Sequence, residues 1–189
     1  MNSPGEEEVK VGVEMTPNPH SLKFVVTKEI LPLGSVDFPN REKAEGSVLP
    51  EALFKIQEVE AILMGRNFIT ISKNPEAEWE ALVPKIFYTM KQILEGPAPY
   101  LKEDLVPKPS HQSGSEIEQR IREVLDREIR PAVARDGGDI LFGGYEDGVV
   151  KLHLQGACSS CPSSIMTLKM GVETRLKELI PEIREVIQM

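Results

Sequence analysis

A proline-rich stretch near the middle of the chain sets the strongest limit on its fold. Residues 96–115 read GPAPYLKEDLVPKPSHQSGS, which contains four prolines and has a glycine near each end. Prolines fix φ and remove backbone donors, so neither a helix nor a strand is expected to continue through this stretch. We therefore predict a domain over residues 1–96 and a second over residues 115–189, joined by a linker at residues 97–114. Within the first domain, residues 1–9 are predicted to be a disordered acidic leader.

Apolar residues alternate with polar ones in some segments and follow helical spacing in others. Before the linker we predict strands at residues 10–15 and 21–27, a helix at 47–57, a hairpin of strands 59–63 and 68–72, and a long helix at 76–94. After the linker we predict a helix at 116–133 disturbed by Pro131, strands at 140–142 and 149–154, a helix from Pro162 to about Leu179, and a last strand at 183–187. The predicted fold class is therefore α+β, with two small mixed domains.

The charge balance and the absence of long apolar runs exclude several classes of partner. The chain carries 22 Lys and Arg residues against 30 Asp and Glu residues, a formal net charge of −8. No basic stripe is available to neutralise phosphates, so we expect no nucleic-acid partner. No apolar run approaches the ~18 residues that span a bilayer, so we expect no membrane partner. The first residues resemble neither a secretory signal nor a mitochondrial presequence, which predicts a cytoplasmic protein.

The two cysteines of the chain lie close together in GACSSCPSS, residues 156–164. Cys158 and Cys161 follow a predicted strand and precede a predicted helix, where unpaired backbone N–H groups and the helix dipole favour the thiolate. The small neighbours of the two cysteines predict accessible sulfur atoms, which argues against a buried structural pair. A thioredoxin-type dithiol fits the strand-to-helix position, but the second domain has no second βαβ unit and no Trp precedes Cys158.

A metal site needs more ligands than this loop supplies. Iron–sulfur and zinc sites usually take four soft ligands. His153 is predicted on the polar face of its strand, and His20 and His111 in a turn and in the linker, so all three are expected to be solvated. Two chains that meet at this loop would supply four thiolates, and such a cluster could be released when the chains part. Metal binding and dithiol chemistry both remain open at this point.

Other polar residues carry simpler predictions. Asp136 and Asp139 are expected to cap rather than to bind metal, and Gly137 and Gly138 to meet the backbone requirements of a turn. The N-terminal half has no cysteine and no convergent acid–base group. We therefore predict a binding protein rather than an enzyme.

Several stretches resemble one known family. ARDGGDI (134–140) and LQGACSSCPSSIMTLKMGVE (154–173) resemble the NifU-like C-terminal domain of the Nfu iron–sulfur proteins, and MTPNPHSLKF (15–24) and EVEAILMGRNFITISK (58–73) resemble the Nfu N-terminal domain. The resemblance implies that Cys158 and Cys161 bind a [4Fe-4S] cluster that bridges the two subunits of a homodimer. It also implies receipt of the cluster from assembly proteins and delivery to apo-protein clients.

The resemblance also bears on the origin of the chain and leaves one alternative. The domain order is similar to that of the mitochondrial branch of the family. We therefore expect a bacterial protein or a mature organellar form without its presequence. The alternative function is a thiol–disulfide oxidoreductase that uses the same cysteine pair.

Overall fold

The computed structural model describes residues 8–108, 114–159 and 162–189, the side chains of 162–164 excepted. Residues 1–7 of the predicted leader and residues 109–113 of the predicted linker lie outside this description. The chain forms two compact units. The first comprises the described residues up to Glu14 together with Lys23–Pro107, and the second comprises Met15–Leu22 and the described residues from Lys108 to Met189. The α+β prediction is confirmed, since each unit combines helices with a sheet.

The first sheet has five strands. Its elements, in chain order, are β1 (Val11–Met15), β2 (Ser21–Val26), β3 (Val36–Phe38), α1 (Arg41–Ala44), α2 (Val48–Leu53), β4 (Val59–Met64), β5 (Phe68–Lys73) and α3 (Trp79–Leu94). The strand order is β1-β2-β5-β4-β3. Strands β4 and β5 form the predicted antiparallel hairpin, in which Gly65 N donates to Phe68 O. Sequence reasoning missed β3 and α1, both of which are very short.

The long helix α3 starts three residues later than predicted. Asn74 holds the chain in a turn ahead of it, because its side-chain oxygen accepts from Glu76 N and its carbonyl from Ala77 N. These bonds compete with helical pairing, as Asn side chains often do near helix starts. The helix then buries one apolar face, which consists of Leu82, Ile86, Met90 and Leu94.

The first part of the predicted linker packs onto the first unit. Tyr100 and Leu101 are buried, and Tyr100 O accepts a hydrogen bond from Leu49 N. Lys102 N donates to the buried Ser47 hydroxyl, and a 3₁₀ turn follows at Glu103–Leu105. Buried side chains and backbone hydrogen bonds therefore anchor this proline-rich segment to the first unit. Residues 109–113 lie outside the described part of the chain, so the end of the linker stays a prediction.

The second unit carries a three-stranded sheet and two long helical segments. Its elements are α4 (Glu116–Val124), a π-helical turn (Leu125–Ile129), α5 (Arg130–Arg135), β6 (Gly138–Glu146), β7 (Val149–Gly156), α6 (Pro162–Leu179) and β8 (Glu185–Gln188). Strands β6 and β7 are antiparallel, and β8 runs parallel to β7. Ser115 caps α4 in a reciprocal capping box with Glu118, as expected for this sequence. Among the described residues, no helix is both long and apolar enough to cross a bilayer.

Pro131 shapes the helix that leads to the cysteine-bearing strands. The chain stays helical from Glu116 to Arg135, but the turn before the proline widens so that Arg130 N donates to Leu125 O. Proline has no N–H, and its ring crowds the preceding turn, which a π turn relieves. The predicted disturbance is confirmed, but it lies before the proline and does not end the helix.

Glu173 joins α6 to β8. One of its carboxylate oxygens accepts from Val186 N at 3.0 Å, and the other accepts from the Lys177 ammonium. The hydrogen bond from Lys177 and then the one from Val186 N lower the pKa of Glu173. Because the folded pKa is the lower one, the stabilisation is present above the unfolded pKa and is lost as pH falls through the folded pKa.

We expect Glu173→Gln to destabilise the second unit at pH 7 by on the order of 1 kcal/mol, because the charged hydrogen bonds are weakened. The difference in unfolding free energy between wild type and variant should shrink as pH is lowered below 4.5, the ordinary value for this group. Denaturant unfolding followed by circular dichroism measures it.

The control is Glu123→Gln, which removes an exposed ion pair with Arg127 one helical turn away. Such pairs contribute little. If Glu173→Gln lowered the unfolding free energy by the same amount at pH 7 and pH 3, the stabilising role of the charged Glu173 carboxylate would be contradicted.

Candidate functional site

Cys158 lies in the loop that joins β7 to α6, as predicted, but its sulfur is not accessible. The residue is 5% exposed and packs in the core of the second unit beside Val133 and Val172. The prediction of accessible sulfurs is therefore wrong for Cys158. Small residues predicted an open loop, whereas in the structure their size lets the loop lie close against β6. Cys161 lies outside the described residues.

Gly138 makes room for the Cys158 side chain. Gly138 at the start of β6 pairs with Gly156 at the end of β7. A Cβ at Gly138 would lie 2.6 Å from Cys158 Sγ and 3.0 Å from Gln155 O. The missing side chain at Gly138 is therefore what allows the sulfur to rest on the end of the strand. Gly138 was expected to meet the backbone requirements of a turn; its contact with the sulfur was not predicted.

Backbone hydrogen bonds fix the loop on both sides of Ala157. Ala157 N donates to Gly137 O at 3.1 Å, and Gly137 has φ of 77°. Gly156, with φ of 65°, turns the chain out of β7, and its carbonyl accepts from both the Ser159 amide and the Ser159 hydroxyl. Both positive φ values favour glycine, which accounts for Gly137 as predicted.

A partly buried ion pair joins α5 to the first residues of β6. The Arg130 guanidinium binds the Asp139 carboxylate through two bonds of 2.9 and 2.7 Å, and Asp139 also accepts from Ile140 N. Hydrogen bonding to Asp139 raises the pKa of Arg130, so the guanidinium stays charged. Asp139 was expected to cap; instead it clamps the turn that holds Gly137 and Gly138. Asp136 lines the cavity described below.

Asn18 also reaches the cysteine loop within the second unit. Its side-chain amide is 3% exposed and donates to Ala157 O at 3.1 Å. Sequence reasoning treated the TPNPH stretch as a turn only. An asparagine between two prolines was the available signal, but the partner lies 139 residues away in the sequence.

A cavity of 520 Å³ lies beside Cys158. Its walls are mainly apolar, and they come from α5, α6, the cysteine loop and Pro17. Its lining includes Ile129, Val133, Leu168, Val172 and Ala157. Cys158 is thus part of the core cluster and also lines this cavity.

The candidate ligands do not form a complete metal site. His153 and His20 are exposed, in agreement with the prediction that they are solvated, and His111 lies outside the described residues. Within residues 8–108, 114–159 and 162–189, no three His, Cys, Asp or Glu side chains are grouped so that they could hold a metal ion. A soft-metal site at this loop therefore requires Cys161 and further ligands.

We expect Gly138→Ala to destabilise the second unit by about 1–3 kcal/mol, because the added methyl group collides with Cys158 Sγ and with the strand backbone. Displacement of the sulfur should also raise the alkylation rate of Cys158. Trp79, the single tryptophan, lies in the first unit. The denaturant midpoint read from its fluorescence should therefore stay the same, whereas the midpoint of the second unit, read by circular dichroism, should fall.

The control is Gly12→Ala, where the nearest neighbour of the added Cβ is Val25 O at 4.0 Å. It should leave Cys158 reactivity unchanged. Wild-type stability and wild-type Cys158 reactivity in Gly138→Ala would show that the sulfur does not rest on Gly138.

The chain matches two family descriptions that together cover most of its length. Residues 121–187 match the NifU-like domain, and residues 11–96 match the N-terminal domain of the scaffold protein Nfu/NifU. The placement of the domain boundaries at residues 96 and 115 stays a prediction.

Named relatives align over nearly the whole chain. A protein of Drosophila ananassae named NFU1 iron-sulfur cluster scaffold homolog, mitochondrial, is 43% identical over 98% of this chain and 66% of its own length. The Homo sapiens protein of the same name is 43% identical over 92% of this chain and 69% of its own length. The chain thus spans about two thirds of the length of these relatives.

A solved structure also matches part of the chain. A NifU-like protein from Saccharomyces cerevisiae is 22% identical, with a TM-score of 0.48 over 55% of this chain and 93% of that one. The sequence matches are far stronger than this structural one. They show that the chain belongs to the Nfu family, with an Nfu N-terminal domain followed by a NifU-like domain.

Proposed function

We propose that this protein is an iron–sulfur cluster scaffold and carrier that binds a [4Fe-4S] cluster between two subunits and transfers it to apo-proteins. One observation supports the proposal most strongly. In a chain of the Nfu family, the two cysteines lie three residues apart in the sequence, between the end of β7 and the start of α6. Relatives named as iron–sulfur cluster scaffolds support it.

The position of the loop suits thiolate ligands. Helix α6 has 18 residues and starts at Pro162, directly after Cys161. The N–H groups of its first turn have no partners within the helix, and the dipole places partial positive charge there. Both effects favour the thiolate, which is the form that binds iron. Cys158 and Cys161 are the proposed ligands of the cluster.

The number of thiols argues for two chains at one cluster. Cubane clusters take four thiolates, and this chain has two cysteines. A two-fold axis through the cysteine loop would bring two pairs together without any further ligand. A site closed by a second copy opens when the copies part, which suits a protein that gives its cluster away.

The burial of Cys158 adds a requirement to this proposal. A cysteine residue that is 5% exposed cannot reach a cluster shared with another chain. Cluster loading should therefore turn Cys158 outward, with movement of the loop after Gly156. The cavity beside the sulfur leaves space for this movement without opening of the core.

The proposed partners follow from the carrier role. They are cluster-donating assembly proteins, apo-protein clients and a second copy of this chain. The proposed role is binding and transfer rather than enzymatic catalysis. The curated relatives are named as mitochondrial, which supports an organellar setting; a cytoplasmic bacterial setting stays a prediction.

Anaerobic reconstitution of the full chain with iron and sulfide tests the function. We expect about four iron and four sulfide per two chains, as cubane clusters require. Cys158→Ser and Cys161→Ser should each lose the cluster, because serine is a harder and poorly ionised ligand. Cys158→Ser should also cost about 1–3 kcal/mol of stability, since it places a hydroxyl in the core.

Met166→Leu is the matched control, because it removes an exposed sulfur from α6 without removing a thiolate. It should load like the wild type. A full cluster in either serine variant would contradict four-thiolate binding. A wild-type chain that holds no iron but reduces insulin with turnover would indicate the thiol–disulfide oxidoreductase instead.

A further inference from the structure

The segment Met15–Leu22 contains a turn around Asn18, at residues 16–20 between β1 and β2. The Thr16 hydroxyl donates to Asn18 O and accepts from Asn18 N, and Ser21 N also donates to Asn18 O at 3.0 Å. Pro17 and Pro19 fix φ on either side of the asparagine. The segment is part of the same compact unit as the cysteine loop. A turn held this firmly can fix the direction of a side chain.

The side chain of Asn18 can take only one orientation. Its oxygen accepts from His20 N at 3.0 Å, and a backbone N–H can only donate, so the atom that faces His20 must be the oxygen. The NH₂ group is therefore the one that lies 3.1 Å from Ala157 O. This settles the amide assignment without reference to the cysteine loop.

Ala157 is consequently held at both ends. Its N–H donates to Gly137 O, and its carbonyl accepts from Asn18. That carbonyl belongs to the peptide unit that also contains the Cys158 nitrogen, so its orientation governs where the Cys158 side chain points. Pro17 lines the cavity beside the sulfur, which places the same segment along the path by which Cys158 would leave the core.

We propose that Asn18 is a positioning residue for Cys158: it holds the Ala157–Cys158 peptide so that the sulfur stays against Gly138 until the site is loaded. That the site is loaded with a cluster rests on the proposed function. The hydrogen bond and the position of the sulfur concern the protein without a cluster.

The variant Asn18→Asp distinguishes a role in positioning Cys158 from a role within the turn itself. The aspartate keeps an oxygen for His20 N but has no donor for Ala157 O. In the full-length apo protein, we expect both Asn18→Asp and Asn18→Ala to raise the alkylation rate of Cys158 about fivefold, the change expected from one buried hydrogen bond. Fragmentation mass spectrometry separates alkylation at Cys158 from alkylation at Cys161. The ¹³C′ signal of Ala157 should move upfield in both variants.

The matched control is Asn40→Ala, which removes an asparagine cap on Lys43 N in the first unit. It should alter neither readout. The proposal would be overturned if Asn18→Asp kept the wild-type alkylation rate of Cys158 and the wild-type ¹³C′ signal of Ala157. Asn18 would then serve only its own turn, whatever the result for Asn18→Ala.

A measurement on the unaltered chain covers the case in which both variants unfold. Scalar coupling across the hydrogen bond, between Asn18 Nδ2 and the Ala157 carbonyl carbon, should be detectable in the apo protein, and its absence would overturn the proposal. Failure of the positioning role is distinguishable from failure of the proposed function. Reactivity and coupling are read without iron, whereas the function is read from cluster content in the wild type.

Discussion

The contact between Cys158 Sγ and Gly138 is the constraint on which the rest of the site depends. The sulfur can rest there because Gly138 carries no side chain: a Cβ at this position would lie 2.6 Å from Sγ. The Gly156 turn then brings Ala157 alongside Gly137, and the loop meets the first turn of α6. Gly138 thus sets where the Cys158 sulfur lies, in addition to the turn geometry for which glycines are usually noted.

The polar contacts around this junction hold it in place. Asp139 is nearly buried and receives two bonds from Arg130, so α5 and β6 are joined next to the sulfur. Loss of Arg130 would remove two hydrogen bonds from a carboxylate that is 6% exposed, at a cost on the order of 1–3 kcal/mol. Asn18 acts on the other side through a neutral bond, which is weaker. We infer that the Arg130 side of the site is permanent and that the Asn18 side is the part that can open.

Local patterns predicted the longer elements of the fold, because helix caps, turn residues and apolar periodicity act over a few residues. Ser115, the hairpin around Gly65 and the strand-to-helix position of Cys158 are examples. Features that depend on distant partners were not predicted. Small residues around Cys158 indicated exposure, whereas the matching gap at Gly138 is 20 positions earlier and gives burial. Asn18 and Ala157 are further apart still, and Tyr100 anchors a segment whose composition is that of a linker.

Native mass spectrometry of the apo and cluster-loaded chain tests the central claim, that a cluster joins two copies, most directly. The account predicts mainly monomer for the apo protein at micromolar concentration, because metal–thiolate bonds supply much of the association energy. It predicts that the mass of four iron and four sulfide appears only on the dimer. A single chain that carries the complete cluster, or an apo dimer as abundant as the loaded one, would contradict it.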